Sequence, residues 1–78
     1  MTLELRSELQ KDHRTTRVGL FDGERRIGCA WETTVVPGLF NWCLFQSADG
    51  YGYASDGYSM EQACRDLVAA AHRRAIAA

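Results

Sequence analysis

Both tryptophans, two of the three cysteines and the sole proline of this chain fall within residues 25–46, and the Pro37-Gly38 pair decides how that stretch folds. Proline presets φ for the second position of a turn and glycine supplies positive φ at the third, the requirement of a type II turn. A turn closed there sets Val36 against Leu39, Val35 against Phe40, Thr33 against Trp42 and Trp31 against Leu44. Side chains alternate between the faces of a strand, so Ile27, Cys29, Trp31, Val35, Phe40, Trp42 and Leu44 then share one face. That face is the expected core.

The flanking segments extend the same ribbon. Residues 15–21, Thr-Thr-Arg-Val-Gly-Leu-Phe, read as a strand by β-branched content and alternation. Asp22-Gly23 follows, a hairpin dipeptide suited to a two-residue type I′ turn, which pairs Phe21 with Glu24, Leu20 with Arg25 and Val18 with Ile27. Near the start, Leu3, Leu5, Ser7 and Leu9 alternate with polar residues, which favours a strand; the four-residue spacing of Leu5 and Leu9 keeps a short amphipathic helix as the alternative. After Gln46, Ser47-Ala48-Asp49-Gly50 has turn composition, and Tyr51–Ser55 reads as a short strand. A four-residue loop there places Tyr53 opposite Leu44, Ser55 opposite Trp42 and Gly52 beneath Phe45.

One helix closes the chain. Ser59-Met60-Glu61-Gln62 is a capping box, with Ser59 as N-cap and Gln62 reaching back to its amide. Met60, Cys64, Leu67, Val68, Ala71 and Ala75 recur at three- and four-residue spacing, giving one apolar stripe. Glu61 and Arg65 form an i,i+4 pair in the favourable order, and His72, Arg73 and Arg74 suit the negative C-terminal end. The expected fold is α+β: an antiparallel β-meander of four to five strands with this C-terminal helix packed on one face.

With 78 residues, the chain reads as a single small domain over 1–78. A net charge of -1 argues against direct nucleic-acid binding, and acids at Asp12, Asp22 and Glu24 dilute the arginines Arg14, Arg17, Arg25 and Arg26 around the first hairpin. Three cysteines exclude a closed set of intrachain disulfides, and with no C-x-x-C they argue against zinc. Buried thiols in a reducing cytoplasm are the expected state. The N-terminus lacks the pattern of a signal peptide, and no apolar run reaches the roughly 20 residues of a membrane span. No nucleophile has a base beside it, no carboxylate pair suits acid–base work, and Asp49-Gly50-Tyr51-Gly52 is not a phosphate loop. The reading is a non-enzyme without cofactor or metal.

Surface is what remains. Alternation leaves Arg17, Phe21, Arg26, Ala30, Glu32, Thr34, Val36, Asn41, Cys43 and Phe45 on the reverse face. Within it, Phe21, Ala30, Cys43 and Phe45 rimmed by Arg17, Arg26 and Glu32 form the candidate protein-binding patch, an apolar centre ringed by charge. The odd cysteine count and small core also make a homodimer conceivable, with Cys43 as the candidate for a two-fold bridge.

In format, a compact antiparallel sheet ending in one capped helix without a catalytic set resembles the small anti-CRISPR proteins of phages and mobile elements. That resemblance implies a stoichiometric inhibitor, acting in the cytoplasm of a bacterial host, that docks on a CRISPR effector ribonucleoprotein. A type I surveillance complex is the implied target, blocked in DNA binding or nuclease recruitment; the balanced charge favours steric blocking over mimicry of DNA. Separately, Gly57-Tyr58-Ser59-Met60-Glu61-Gln62-Ala63 is similar to the G-x-[ST]-x-E-E-A that opens the helix of HicB-type antitoxins. It implies the alternative function, an antitoxin or other small regulatory binding module.

Overall fold

The computed structural model describes residues 2–9, 16–33, 38–47, 50, 52–53 and 58–77. Five strands, β1 (Leu3–Leu9), β2 (Thr16–Asp22), β3 (Arg25–Glu32), β4 (Phe40–Leu44) and the two-residue β5 (Gly52–Tyr53), precede one helix, α1 (Met60–Ala77). They form a single antiparallel sheet in chain order, and α1 packs across β3 and β4 on one side. The α+β meander with a C-terminal helix is therefore the fold. The N-terminal leucines lie on a strand, β1, paired with β2 from Leu3 opposite Asp22 to Leu9 opposite Thr16. No described helix is long and apolar enough to cross a membrane.

The core lies between α1 and the sheet. Leu20, Leu44 and Leu67 are fully buried at its centre, each contributing roughly 1.5–3 kcal/mol by leaving water. Around Leu67 the helix presents Ala63, Cys64, Ala70 and Ala71, all buried, with Met60 and Val68 packed at the margin. So many small residues on one stripe let the helix settle close to the strands. The sheet answers with Gly28: a Cβ there would stand 2.7 Å from the Cys43 carbonyl oxygen and 2.9 Å from Leu67 Cδ1.

Ser59 caps α1 as expected, accepting from the Gln62 amide at 3.3 Å, and Arg65 reaches Glu61 at 2.8 Å. The capping box is not reciprocal. The Gln62 side chain runs forward to Asp66 Oδ1, and Tyr58 donates its hydroxyl to Asp66 Oδ2 at 2.7 Å. There Gln62 donates Nε2 to a charged acceptor one turn on. The stripe also differs at its ends, where Ala63 and Ala70 are buried and Ala75 is exposed.

The register departs from the sequence reading at three places. In the first hairpin Asp22 pairs with Arg25, so the turn is Gly23-Glu24, and among the described non-glycine residues only Gln46 has positive φ. Gly23 alone in that turn, at φ 63°, supplies the left-handed residue, the pattern of a type II′ turn. In β3 a bulge then intervenes: Phe21 faces Arg26 but Leu20 faces Gly28, leaving Ile27 as the extra residue. In the second hairpin Thr33 donates to the Leu39 carbonyl and Glu32 faces Phe40, so the loop is longer than the tight Pro37-Gly38 turn expected. Gly38 does take positive φ, at 83°, while residues 34–37 lie outside the described set.

Both odd offsets exchange faces. Ala30, expected on the reverse face, is fully buried opposite Trp42, and Cys29 and Trp31, expected in the core, turn to the reverse face opposite Cys43 and Asn41. Ile27 keeps its place in the core because the bulge turns it there. In β5, Gly52 pairs with Asn41 and Tyr53 with Phe40, not with Phe45 and Leu44; Tyr51 and Ser55 lie outside the described residues.

Gly28→Ala tests the seating of the helix. A methyl group wedged against a backbone carbonyl and Leu67 should cost about 1–3 kcal/mol, read as a lower urea midpoint with an unchanged slope. An unshifted midpoint would mean that α1 does not bear on β3 at this point.

Candidate functional site

The face of the sheet away from α1 carries three cross-strand rows. Glu4, Phe21 and Arg26 form one, Arg6, Gly19, Cys29 and Cys43 the second, and Glu8, Arg17, Trp31 and Asn41 the third. Large side chains fill the outer rows, while the middle row narrows to glycine and two cysteines. The face is a shallow trough between two ridges of arginine and aromatic rings.

The ridges are tied together by charge. Glu8 crosses the trough to Arg26, accepting from Nε at 3.0 Å and from Nη2 at 2.7 Å in a forked pair. That hydrogen-bonded carboxylate holds the Arg26 guanidinium above its ordinary value, against the opposing effect of burial. The crossing is possible because Gly19 lies beneath it: a Cβ there would meet Glu8 Cδ at 3.0 Å and Phe21 Cε1 at 2.9 Å. Arg6 pairs with Glu4 at 3.0 Å on the outer strand.

Each arginine of the face also stands over a ring. Arg6 lies 4.3 Å from the Phe21 centroid, Arg26 5.3 Å from Phe45 and Arg17 5.8 Å from Trp31, all within the range of cation–π attraction. Arg17 differs from the other two. Glu8 stands directly opposite it in the register but is held by Arg26, and the buried Arg17 Nε has no hydrogen-bond partner among the described residues.

Of the seven residues expected to form a patch, Arg17, Phe21, Arg26, Cys43 and Phe45 share this face. Ala30 is buried in the core instead, and Glu32 is not on the face either. It pairs with Phe40, which packs toward the core, and its carboxylate accepts from the Gly38 amide at 3.1 Å. Trp31, Cys29 and the β1 residues Glu4, Arg6 and Glu8 were missed. The alternation of Glu4, Arg6 and Glu8 was the available signal for the last three; Trp31 was hidden by the odd register offset.

Burial pushes Cys29 above its ordinary value of 9.0, and Arg26 and Arg17 oppose that shift without reversing it; burial raises Cys64 likewise. All three cysteines are free, Cys43 being the half-buried one. Among the described residues no group of histidine, cysteine and acidic side chains is arranged to hold a metal ion. No family model, curated protein or solved structure matches the chain.

Two outcomes follow for the cysteines. Iodoacetamide on the native protein should modify Cys43 before Cys29 and Cys64, and Gly19→Ala, by displacing Glu8, should speed modification of Cys29 severalfold, read by peptide mass spectrometry. An unchanged Cys29 rate in Gly19→Ala would show that the Glu8–Arg26 bridge does not screen the trough. The raised thiols also set a pH trend: the native state holds their protons where the unfolded chain has released them. Stability from these groups is therefore full below about pH 9 and is lost as pH climbs through the higher folded values.

Proposed function

We propose that this chain is a non-enzymatic protein-binding domain that docks its partner on the open face of the sheet, with Arg17 and Trp31 as anchor. Arg17 carries the reading. Arg6, Arg17 and Arg26 share the face with Glu4 and Glu8, and the two acids are spent on Arg6 and Arg26. One guanidinium over an indole is left without a carboxylate among the described residues, and arginine and tryptophan are the residue types that dominate binding hot spots. The partner supplies the missing acid, above a contact area set by Phe21, Trp31 and Phe45.

The most specific form of this function is the one implied by the anti-CRISPR format: a stoichiometric inhibitor seated on a type I CRISPR effector, blocking DNA binding or nuclease recruitment by bulk. The balanced charge supports steric blocking.

The test uses a purified type I effector complex and the purified protein. The wild type should bind it and inhibit its loading on target DNA, and Arg17→Glu should weaken binding at least about tenfold while leaving the melting temperature unchanged. Binding unaffected by Arg17→Glu would remove the anchor. No binding at all would remove the CRISPR effector as partner, and a stable dimer by light scattering that protects Trp31 would show the face already occupied.

A further inference from the structure

At the end of the sheet where β3 begins, three arginines from two layers line one cleft. Arg25 and Arg26 come from the start of β3 and Arg74 from the last turns of α1, and with Ile27, Phe45 and Gln46 they line about 130 Å³. A second hollow of about 360 Å³ adjoins it, sharing Arg25, Ile27, Gln46 and Arg74 and running on to Ala71, Ala75 and Asp22. We infer that this cleft is a binding site for a phosphate monoester, with the phosphate held between Arg25 and Arg74 and the organic part along the larger hollow.

The donor inventory supports an oxyanion. Arg74 donates through Nη1 to the Phe45 carbonyl, which fixes the side chain across the layers and leaves Nε and Nη2 uncommitted. Arg26 gives Nε and Nη2 to Glu8 and so lines the cleft as a cation already paired. Arg25 is exposed, with none of its donors engaged by a described residue. Two guanidiniums, Arg25 and Arg74, are thus without a carboxylate, a charge matched to a dianionic phosphate, and guanidinium forks fit phosphate oxygens.

Two features oppose binding and are outweighed. The C-terminal end of α1 carries partial negative charge, which falls off within the last turn and is answered there by Arg74 itself. Asp22, directly opposite Arg25 across the hairpin, also lines the larger hollow, but its Oδ1 is engaged by the Thr2 amide at 3.3 Å and it makes no ion pair with Arg25 among the described residues. The backbone adds a local sign of constraint: Gln46, lining both hollows, holds φ at 59°, a left-handed conformation uncommon for a residue with a side chain. A terminal phosphate fits better than a nucleic-acid backbone. The arginines gather at one cleft instead of running in a row, and the whole chain is slightly acidic.

The experiment is an amide NMR titration at fixed ionic strength with inorganic phosphate, phenyl phosphate, chloride and a 5′-hydroxyl oligothymidylate. Phosphate and phenyl phosphate should give saturable shifts at Ile27, Gln46 and Arg74, and chloride none. Arg25→Ala removes an exposed side chain and should weaken phosphate about tenfold without changing the melting temperature. Arg74→Lys, which keeps the charge but loses the fork, should weaken it as well. Shifts that never saturate, that chloride reproduces, or that Arg25→Ala leaves intact would overturn the site. Tighter binding of the oligothymidylate at the same amides would overturn the monoester in favour of a phosphodiester strand.

Discussion

One extra residue in β3 decides what each side of this sheet is made of. With unbroken alternation, Ile27, Cys29 and Trp31 would share a face and compete for room with Trp42. The bulge turns Ile27 into the core and puts Gly28 and Ala30 beneath the helix. Trp42 can then be buried because alanine lies across from it, small against large, while Leu67 settles over a residue without a side chain. The close seating of α1, with its alanine-rich stripe, depends on that exchange. So does the open face, because the same step delivers Trp31 and Cys29 to it.

Local chemistry made the elements legible and left their register hidden. Ser59, the Glu61–Arg65 pair and the left-handed glycines Gly23 and Gly38 act within a few residues, and each does in the structure what its type dictates. Register is a property of two strands at once. Asp22-Gly23 admits a turn over either Asp22-Gly23 or Gly23-Glu24, and the two differ by an even offset that leaves faces unchanged. The bulge and the longer second loop are odd offsets, and nothing at Ile27 or Thr33 announces them. The bulkier alternating set, Ile27, Cys29 and Trp31, pointed to the core; packing against a close helix required the smaller one, Gly28 and Ala30. That is why Phe21 and Phe45 were found on the open face, Glu32 was wrongly placed there and Trp31 was overlooked.

The open face is ordered before anything binds to it. Gly19 lets Glu8 cross the trough, Glu8 holds Arg26, and Arg26 holds its place over Phe45. Arginine and glutamate side chains carry large rotamer entropy, and binding that must freeze them loses affinity. Here the fork has already taken that loss during folding. The pair itself is partly exposed and contributes little to stability, so its main consequence is a fixed surface relief.

The same bridge explains why Arg17 is left over. Glu8 faces it directly across β1 and β2, and a carboxylate there can satisfy one guanidinium well or two poorly. Arg26 wins because it offers a fork of two nitrogens while Gly19 clears the path, and because the resulting pair is shielded by Phe21 and Phe45 on either side. Among the described residues Arg17 then keeps the Trp31 ring, a weaker partner for a cation than a carboxylate. A surface that neutralises two of its three arginines internally and leaves the third over an indole has concentrated its unsatisfied charge at one point. An acidic group brought there by a partner gains a full ion pair without breaking an existing one, whereas at Arg6 or Arg26 it would have to displace a glutamate first.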